Sequence, residues 1–555
     1  MSAPVPITQR GEQITLNGRA FSIPWSQRQE RFGITDAGFI QTIGVDLLNT
    51  DEVSQQPIAW FSDQQVSPII LSTWLSEQYR YLDITELAQR FGWQVQVNGS
   101  SLQISTPAAK VTGVRQGRQS WGDRIVVDLD QATPWQLNEQ PGETIITIEA
   151  QIDPALIQSF KGNAGNRITS LTVETSDNRT VIRVGIPAGI RPRVWAIPEP
   201  NRLLIDVRPD SLAEREIQWA PGIRWRQQFV SLGADKFPVV SLEINPRQPG
   251  VTVKPIVSNA STLIGTAPLS STAQQIQVVA AINGGFFNRN TQMPLGAIRR
   301  ENRWVSGPIL DRGAIAWNDS GEVSVGRLSL QETIVTSNGQ QFPVLFLNSG
   351  FIASGICRHT SEWGSSYTNI LDHEILVTVQ DNKVINQQRT NAAGQTTVPI
   401  PSDGYLLVIR DDTATANALT PGTPIQLETA TQPAEFANFA QILGAGPLLI
   451  QNGQIVLNAQ AEQFNEGFRQ QAAPRSVILT TAEGNLMLVT VHNRVNGLGP
   501  TLTEVAQLMQ KLGAIHALNL DGGSSTTLYL GGQLIDRSSS SAARVHNGIG
   551  VFIQP

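Results

Sequence analysis

The chain has 555 residues, of which 40% are hydrophobic and only 15% are charged. At roughly 150 residues per domain, this length predicts three or four domains. The 40 basic and 46 acidic residues give a formal charge of −6, which argues against a surface basic enough to coat nucleic acid. With Cys357 as the single cysteine, the chain has neither an internal disulfide framework nor a cysteine-cluster metal site.

The sequence carries no obvious signal for membrane insertion. It contains no run of about 18 apolar residues, so we expect no membrane span. The first ten residues, MSAPVPITQR, lack the charged and apolar regions of a secretory signal. By this criterion the chain is either cytoplasmic or a processed form of an exported protein.

Residues 12–105 predict a small α+β module. Asp83 and Glu86 have the spacing of a helix capping box. The strands WQVQV and LQIS follow, joined by the turn residues Asn98-Gly99. The run RYLDITELA…LQIST resembles the N-terminal-like domain of copper amine oxidases, a stalk module that has no copper chemistry of its own.

Residues 110–210 predict a β-sandwich made of two copies of one unit, at 110–150 and 169–208. Each copy has an opening strand, a polar turn, a second strand that begins with arginine, a bend that contains proline, and a closing strand. The pattern resembles the AMIN family, whose modules hold envelope proteins to peptidoglycan or related polymers. The resemblance implies a cell-wall polymer as partner, and the alternative is a structural spacer.

From residue 225 to the end, the sequence predicts an α+β domain with a mixed sheet, large enough to bury a sizeable core. Its clearest helix is TLTEVAQLMQKLG, in which Thr501 and Glu504 form a capping box. The apolar face of this helix is made of Val505, Leu508, Met509 and Leu512. Any chemistry should reside in this domain.

Two buried strands of this domain end on a polar residue followed by two glycines. The strand VVAAI ends at Asn283, and Gly284 and Gly285 follow. A second strand ends at Asp521, and it is followed by Gly522, Gly523, Ser524 and Ser525. Such turns let a ligand approach the backbone, and their amides can bind an anion. We therefore predict that both motifs converge on one pocket, although each alone could be a simple tight turn.

Several arginines could supply positive charge to that pocket. Arg475 stands directly before the apolar strand SVILT, so its guanidinium could be held rigidly at the end of the strand. Arg494 and Arg544 are further candidates for substrate binding, and Asn547 is a candidate for positioning the substrate. For each arginine the alternative is a surface residue with no role.

Taken together, residues 225–555 resemble the phosphodiester glycosidase family. The resemblance rests on NGGFF, GAGPLL, the Pro-Arg-Ser step at 474–476, NLDGGSSTT and the closing RVHNGIGV. It implies hydrolysis of the C1–O bond of a sugar-1-phosphodiester, with no cofactor, at a periplasmic or extracellular location in the cell envelope. One departure is His492-Asn493-Arg494, where the family often has Asp-Gly-Arg.

The resemblance also implies roles for individual residues. Asp521 would act on the sugar side as base or nucleophile, and Arg475 with the turn 522–525 would bind phosphate or sugar hydroxyls. Asn283 completes the predicted catalytic set. Glycoside cleavage usually uses two carboxyls. The choice of the second carboxyl stays open among Glu301, Asp311, Asp372 and Glu374.

Two other classes of function stay open. The C-terminal domain could be a non-catalytic pocket in a protein that binds envelope polysaccharide. Alternatively, Asp521 could be a ligand for a hard cation in a metal-assisted phosphodiesterase. In every version, residues 1–220 are expected to supply location rather than chemistry, because they contain no clustered histidines, cysteines or paired carboxylates.

Overall fold

The computed structural model describes residues 6–63, 67–187 and 189–554. Within these ranges the chain is mostly β-strand, arranged in nine sheets, as expected from short alternating runs between turn residues. Its helices and helical turns are short: Asp36–Gly38, Phe39–Ile43, Thr85–Arg90, Pro154–Ser159, Leu269–Gln275, Thr413–Ala418, Ala434–Asn438, Glu466–Gln470, Leu502–Lys511, Gly523–Ser525 and Ser539–Ser541. None of the described helices is long and apolar enough to cross a membrane.

The first module contains two sheets. The seven strands of one are, in spatial order, Gln9–Gly11, Trp25–Arg28, Arg31–Thr35, Tyr79–Asp83, Ile69–Ser76, Gln55–Ala59 and Asp46–Leu47. The other contains Gln94–Asn98, Ser101–Ser105, Gln13–Leu16 and Arg19–Phe21. The predicted hairpin around Asn98-Gly99 is confirmed.

The predicted capping box of the first module is wrong. Asp83 Oδ1 accepts from the Thr85 amide at 2.8 Å, so it caps a residue two positions ahead. The Glu86 carboxylate instead lies 3.3 Å from Arg31. Arg31 also binds Asp83 at 2.8 Å. Because Arg31 lies in a strand far from this helix in sequence, the spacing of Asp83 and Glu86 could not reveal these ion pairs.

Residues 109–207 form two further sheets whose buried residues share one apolar cluster. The five-stranded sheet contains Ala150–Ile152, Ala109–Gln119, Gly122–Leu129, Arg202–Val207 and Arg193–Ile197, and the four-stranded sheet contains Trp135–Gln140, Glu143–Ile148, Arg179–Gly185 and Ser170–Ser176. Each predicted copy contributes one hairpin to each sheet. We call this pair of sheets the sandwich.

The C-terminal region is built on four large sheets. The eight-stranded sheet has the order Arg215–Ala220, Ile223–Leu232, Asp235–Ile244, Leu486–Val491, Arg475–Thr480, His516–Asn519, Leu448–Gln451 and Gln454–Ile455. A five-stranded sheet contains Val251–Val257, Asn547–Ile553, Ala280–Asn283, Leu528–Leu530 and Gln533–Leu534. These two sheets carry the motifs singled out in the sequence.

The other C-terminal sheets flank them. One contains Arg303–Ser306, Ile298–Arg300, Gln441–Gly444, Gly313–Trp317 and Val323–Arg327. Another, which is mixed, contains Lys383–Arg389, Ile375–Gln380, Gly404–Arg410, Gly355–His359, Gln341–Leu347, Ser329–Thr336 and Ile425–Gln432. A small pair joins Ser366–Thr368 to Thr397–Pro399.

The predicted C-terminal helix is confirmed over Leu502–Lys511. The Thr501 hydroxyl accepts from the Glu504 amide at 3.3 Å, and the Glu504 carboxylate accepts from the Thr501 amide at 2.7 Å. The helix buries Leu502, Val505, Ala506, Leu508 and Met509. The next strand, His516–Asn519, leads directly to Asp521, so this helix and strand fix where the second motif begins.

The first module and the C-terminal region are in direct contact. The eight-stranded sheet begins at Arg215, ten residues ahead of the predicted domain start at 225. Thr50 of the first module forms a β-bridge with Ile217. Trp219 Nε1 donates to Asp36 Oδ2 at 2.6 Å. One apolar cluster runs from the first module through the sandwich into the C-terminal sheets.

Candidate active site

The ends of two strands meet at Asn283 and Asp521. Asn283 Nδ2 donates to the backbone oxygen of Asp521 at 2.7 Å, and Asn283 Oδ1 accepts from Ser476 Oγ at 2.6 Å and from the Thr527 amide at 3.1 Å. The Asp521 amide donates to the Gly284 carbonyl at 2.9 Å. The structure thus brings the two predicted motifs together. Because Asn283 is fully buried, we infer that it positions the motifs rather than touching a ligand.

Two glycines and Asn547 pack around the same junction. Asn547 Oδ1 accepts from the Gly285 amide at 2.7 Å, and its backbone oxygen accepts from the Gly284 amide at 2.9 Å. A Cβ atom on Gly284 would lie 2.2 Å from Asn547 Oδ1, and one on Gly285 would lie 2.4 Å from the Gly444 oxygen. The backbone therefore approaches too closely for any side chain.

The turn after Asp521 places backbone amides beside its carboxylate. Asp521 Oδ1 accepts from the Gly522 amide at 3.0 Å, and Gly523 has a φ of 66°, which favours glycine. Ser525 is buried, whereas Ser524 is exposed. No backbone hydrogen bond in the described part of the chain uses the Ser524 amide. That amide is therefore available to an anion.

Burial governs the ionisation of Asp521. Loss of solvation raises the pKa of its carboxyl from 3.8 to about 6. A hydrogen bond from the Ser525 side chain, the charge of Arg289, the Gly522 amide and the charge of Arg475 all lower the pKa and offset part of the rise. Such a carboxyl is mostly ionised at neutral pH and can still exchange a proton, as acid–base catalysis requires.

Arg475 lies beside the turn with part of its hydrogen-bonding capacity unused. It is 1% exposed, and its Nη2 donates to the Gln471 carbonyl at 2.6 Å. Its Nε has no hydrogen-bond partner among the described residues. Burial lowers the pKa of Arg475 to about 10, although the charge of Asp521 raises it. A buried cation with a free donor is costly unless an anion binds it, so the geometry suits an anionic ligand.

Three phenylalanines line the region next to Arg475. The ring centroid of Phe286, which follows Gly285, lies 5.5 Å from that of Phe464 and 5.6 Å from that of Phe468. The Arg475 guanidinium lies 5.0 Å from the Phe468 ring centroid, and the Arg312 guanidinium lies 4.2 Å from that of Phe464. These rings supply apolar surface between two guanidinium groups.

The other two predicted arginines have intramolecular partners. Arg494 binds the carboxylates of Asp235 at 2.5 Å and Glu504 at 2.8 Å, which ties its loop to the capped helix. Arg544 is exposed and donates to the Thr266 carbonyl. None of these bonds joins Arg494 or Arg544 to the Asn283–Asp521 junction. The role of both arginines in substrate binding therefore stays a prediction.

Three of the four candidates for a second carboxyl bind groups in their own parts of the fold. Asp311 is exposed. The partners of the other three are Lys254 for Glu301, the Ala393 amide for Asp372, and Arg410 with Tyr367 for Glu374. Within the described ranges, no three His, Cys, Asp or Glu side chains are grouped to hold a metal ion.

Glu462 is a buried carboxyl near the site that the sequence patterns did not indicate. Its Oε1 accepts from the Leu448 amide at 2.9 Å, and its Oε2 accepts from the Gly313 amide at 2.8 Å. Burial raises the pKa of Glu462. Because it is fully buried and holds two strands together, we infer a structural role. Arg289 and Arg312 were also missed, since single arginines in loops carry no local pattern.

His492 occupies the position where the family often has an aspartate. Its Nε2 lies 2.9 Å from Asp536 Oδ2, and Asp536 Oδ1 accepts from the Leu528 amide at 2.8 Å. A buried carboxylate is therefore present beside this turn, but the segment after the strand Gln533–Leu534 supplies it. The region therefore keeps an acidic group, Asp536, although His492 stands in place of the aspartate.

Comparison with known proteins now identifies this region. The family model described as phosphodiester glycosidase matches residues 373–552. This part of the chain belongs to the phosphodiester glycosidase family. The matched range includes Arg475, Asp521 and Asn547, whereas Asn283 lies outside it. The phosphodiester glycosidase region therefore shares its site with a strand from an earlier part of the chain.

Individual relatives agree with this assignment. The chain is 32% identical over 105 residues to N-acetylglucosamine-1-phosphodiester alpha-N-acetylglucosaminidase of Bos taurus, and to that of Homo sapiens, covering 17% of this chain and 20% of each relative. It thus spans about a fifth of the length of the curated relatives it matches. A crystal structure of a hypothetical protein from Synechocystis is 43% identical, covers 99% of both chains and has a TM-score of 0.91. The stalk-module and AMIN resemblances stay predictions.

Proposed function

We propose that this protein hydrolyses a sugar-1-phosphodiester at the sugar C1–O bond. The observation that carries the proposal is the carboxyl of Asp521 beside the buried, incompletely bonded Arg475 and the open Ser524 amide. The names of the curated relatives suggest N-acetylglucosamine as the sugar.

The reaction needs help at two places. Glycoside cleavage develops positive charge on the sugar ring, which the Asp521 carboxylate would stabilise or trap as base or nucleophile. The departing phosphate gains a second negative charge, and its monoester has a second pKa near 6, so it needs little protonation by a general acid. Arg475 and the amide of Ser524 are suited to that growing charge.

The ionisation of the two groups fits these roles. With a pKa of about 6, Asp521 is mainly the carboxylate at neutral pH. With a pKa of about 10, Arg475 keeps its positive charge. The pair therefore presents an anion to the sugar and a cation to the phosphate over the same pH range.

Hydrolysis in water enriched in heavy oxygen tests which bond breaks. The substrate would be N-acetylglucosamine-1-phosphate methyl ester, with products identified by mass spectrometry. We expect the label on C1 of the released sugar. Label on phosphate would instead assign the protein to the phosphodiesterases, and loss of turnover in a chelator would point to the metal-assisted mechanism.

We further propose an exported or envelope glycan as the natural substrate and a cell-wall polymer as a partner of the sandwich. In support, a cavity of about 720 Å³ lies between the turn Asn17–Arg19 of the first module and the four-stranded sheet of the sandwich. Gln136 lines it, and its buried Oε1 has no partner among the described residues. Co-sedimentation of the full chain with purified peptidoglycan tests this, and polymer binding without any turnover would favour the non-catalytic alternative.

A further inference from the structure

Arg537 contacts the back of the turn that carries the candidate anion site. Its Nη1 donates to the carbonyls of Gly523 at 3.1 Å, Ser524 at 3.3 Å and Thr526 at 3.0 Å. Its Nε donates to Ser541 Oγ at 3.1 Å. One guanidinium thus binds three carbonyl groups of the same turn.

The bond to the Gly523 carbonyl also fixes the direction of the Ser524 amide. In a trans peptide the carbonyl and the N–H point in opposite directions. Because the Gly523 carbonyl points at Arg537, the Ser524 amide of the same peptide points away from Arg537. No backbone hydrogen bond among the described residues uses that amide.

The sandwich contacts the segment that carries Arg537. The Glu139 backbone oxygen accepts from Ser540 Oγ at 3.2 Å. The Glu139 carboxylate holds the Arg191 guanidinium with bonds of 2.8 and 2.9 Å. Arg191 is close enough to Asp536 and Arg537 for its charge to act on both. The sandwich therefore contacts the segment that carries Arg537.

We propose that Arg537 is a positioning residue that holds the turn 522–526 in its anion-binding conformation, and that Glu139 of the sandwich supports the segment carrying it. The proposal rests on the proposed function only for the identity of the anion. It also revises the expectation that residues 1–220 supply location alone, since the sandwich would contribute to the conformation of the site.

The test compares full-length variants by two measurements. Hydrogen–deuterium exchange of peptides covering 520–530 reports the order of the turn without any substrate. Steady-state hydrolysis of N-acetylglucosamine-1-phosphate methyl ester reports the site. Arg118→Gln is the matched control, because Arg118 also donates to a carbonyl, that of Ala164 at 2.8 Å, within the sandwich.

We expect Arg537→Gln to speed exchange over 522–527 at least 10-fold and to lower kcat about 10-fold or more, with KM changing less. Arg537→Lys should recover part of both losses because it keeps one charged donor. Glu139→Ala should shift both in the same direction by a smaller factor, since it removes the carboxylate that fixes Arg191. Arg118→Gln should change neither.

Two results would overturn the proposal. Exchange over 522–527 that stays at the wild-type rate in Arg537→Gln would show that the turn is ordered without this residue. Equal losses in Arg118→Gln would show a general effect on folding. If the wild-type protein shows no turnover, the proposed function fails, but the exchange measurement still decides the role of Arg537. If Arg537→Gln does not fold, Arg537→Lys and Glu139→Ala are judged by the same exchange criterion.

Discussion

Asp521 combines its proposed chemical role with a cost in stability. The same burial that raises its pKa to about 6 makes the ionised carboxyl more costly in the folded protein than in water. Arg475 has the opposite charge, and burial likewise disfavours its charged form, which lowers its pKa to about 10. Ionisable groups whose pKa is shifted by burial are typical of functional sites.

Replacing Asp521 with asparagine keeps the shape of the side chain and removes its charge. We expect the rate of sugar-1-phosphodiester hydrolysis to fall at least about 10²-fold, the low end for a positioned acid–base group. Affinity should change less, because Arg475 and the turn amides remain. Initial rates over a range of substrate concentrations test this, and an unchanged kcat would remove Asp521 from the chemistry.

The wild-type rate should also depend on pH through Asp521. In the proposed mechanism the carboxylate is the active form, so kcat should decline as the pH falls through about 6. The measurement is a pH–rate profile on the full chain. A profile that stays flat down to pH values near 4 would contradict the assignment.

Asp521→Asn should lower the rate of hydrolysis but raise the stability of the folded protein at neutral pH. The pKa of Asp521 is raised in the fold, from 3.8 to about 6, so the folded state holds the proton more tightly than the unfolded state. The stabilisation from this proton is present below about pH 4 and is lost as the pH rises through about 6. At pH 7 Asp521→Asn should therefore be more stable, by about 1 kcal/mol after allowance for partial exposure. Denaturant unfolding at pH 7 and pH 4 tests this, and the gain should shrink at the lower pH.

Arg475 and Arg494 should respond differently to the same substitution. Arg475→Gln removes a charge-assisted contact worth about 1.5–3 kcal/mol, so kcat/KM should fall about 10- to 100-fold. Arg494→Gln breaks ion pairs with Asp235 and Glu504, so it should lower the melting temperature and leave KM unchanged. Kinetics and thermal unfolding of both variants separate the two roles. A raised KM in Arg494→Gln would restore its predicted role in substrate binding.

At the scale of elements, the site is a junction of strand ends. The strand Ala280–Asn283 belongs to one sheet and the strands Arg475–Thr480 and His516–Asn519 to another. The Asn283 side chain bonds to both Ser476 and the backbone of Asp521, so it fixes the two sheets relative to each other. The glycines allow the strand ends to approach this closely.

An added methyl group at Gly284 should disrupt that junction. In Gly284→Ala the new Cβ would lie 2.2 Å from Asn547 Oδ1, and such overpacking typically costs about 1–3 kcal/mol. We expect lower stability and loss of turnover. Gly117→Ala is the matched control, because its Cβ would lie 3.5 Å from the nearest atom, the end of the Gln119 side chain. Equal effects of the two variants on turnover would argue against a tight junction.

At the scale of the whole molecule, the first module and the sandwich are packed onto the C-terminal sheets. The buried Asp36 carboxylate binds Arg80 at 3.3 Å within the first module and Trp219 at 2.6 Å in the eight-stranded sheet. Asp51 forms a second link, to Arg224 at 3.1 Å, but it is 84% exposed. The apolar cluster continues across both boundaries. We therefore expect the chain to unfold as a unit.

These two links allow a direct comparison. Asp36→Ala leaves the buried Arg80 without its carboxylate, and breaking a buried pair in this way costs about 3–5 kcal/mol. Asp51→Ala removes an exposed pair worth about 0–1 kcal/mol. Differential scanning calorimetry should show that Asp36→Ala lowers the transition of the entire chain, whereas Asp51→Ala has little effect. A separate early transition in Asp36→Ala would show that the first module unfolds independently.

The sequence by itself determined the local elements and the family. The capped helix at 502–511, the hairpin around Asn98-Gly99 and the two motifs that end in Gly-Gly depend on neighbouring residues, and periodicity and turn chemistry reveal such features. The sequence also predicted that these two motifs converge, but only the tertiary structure decided which of their atoms are in contact. Asn283 and Asp521 are 238 residues apart, so no local pattern shows that they touch. Burial, which sets the pKa of Asp521, and the partners that engage Arg494 or leave Arg475 incompletely bonded likewise depend on the packing of distant strands.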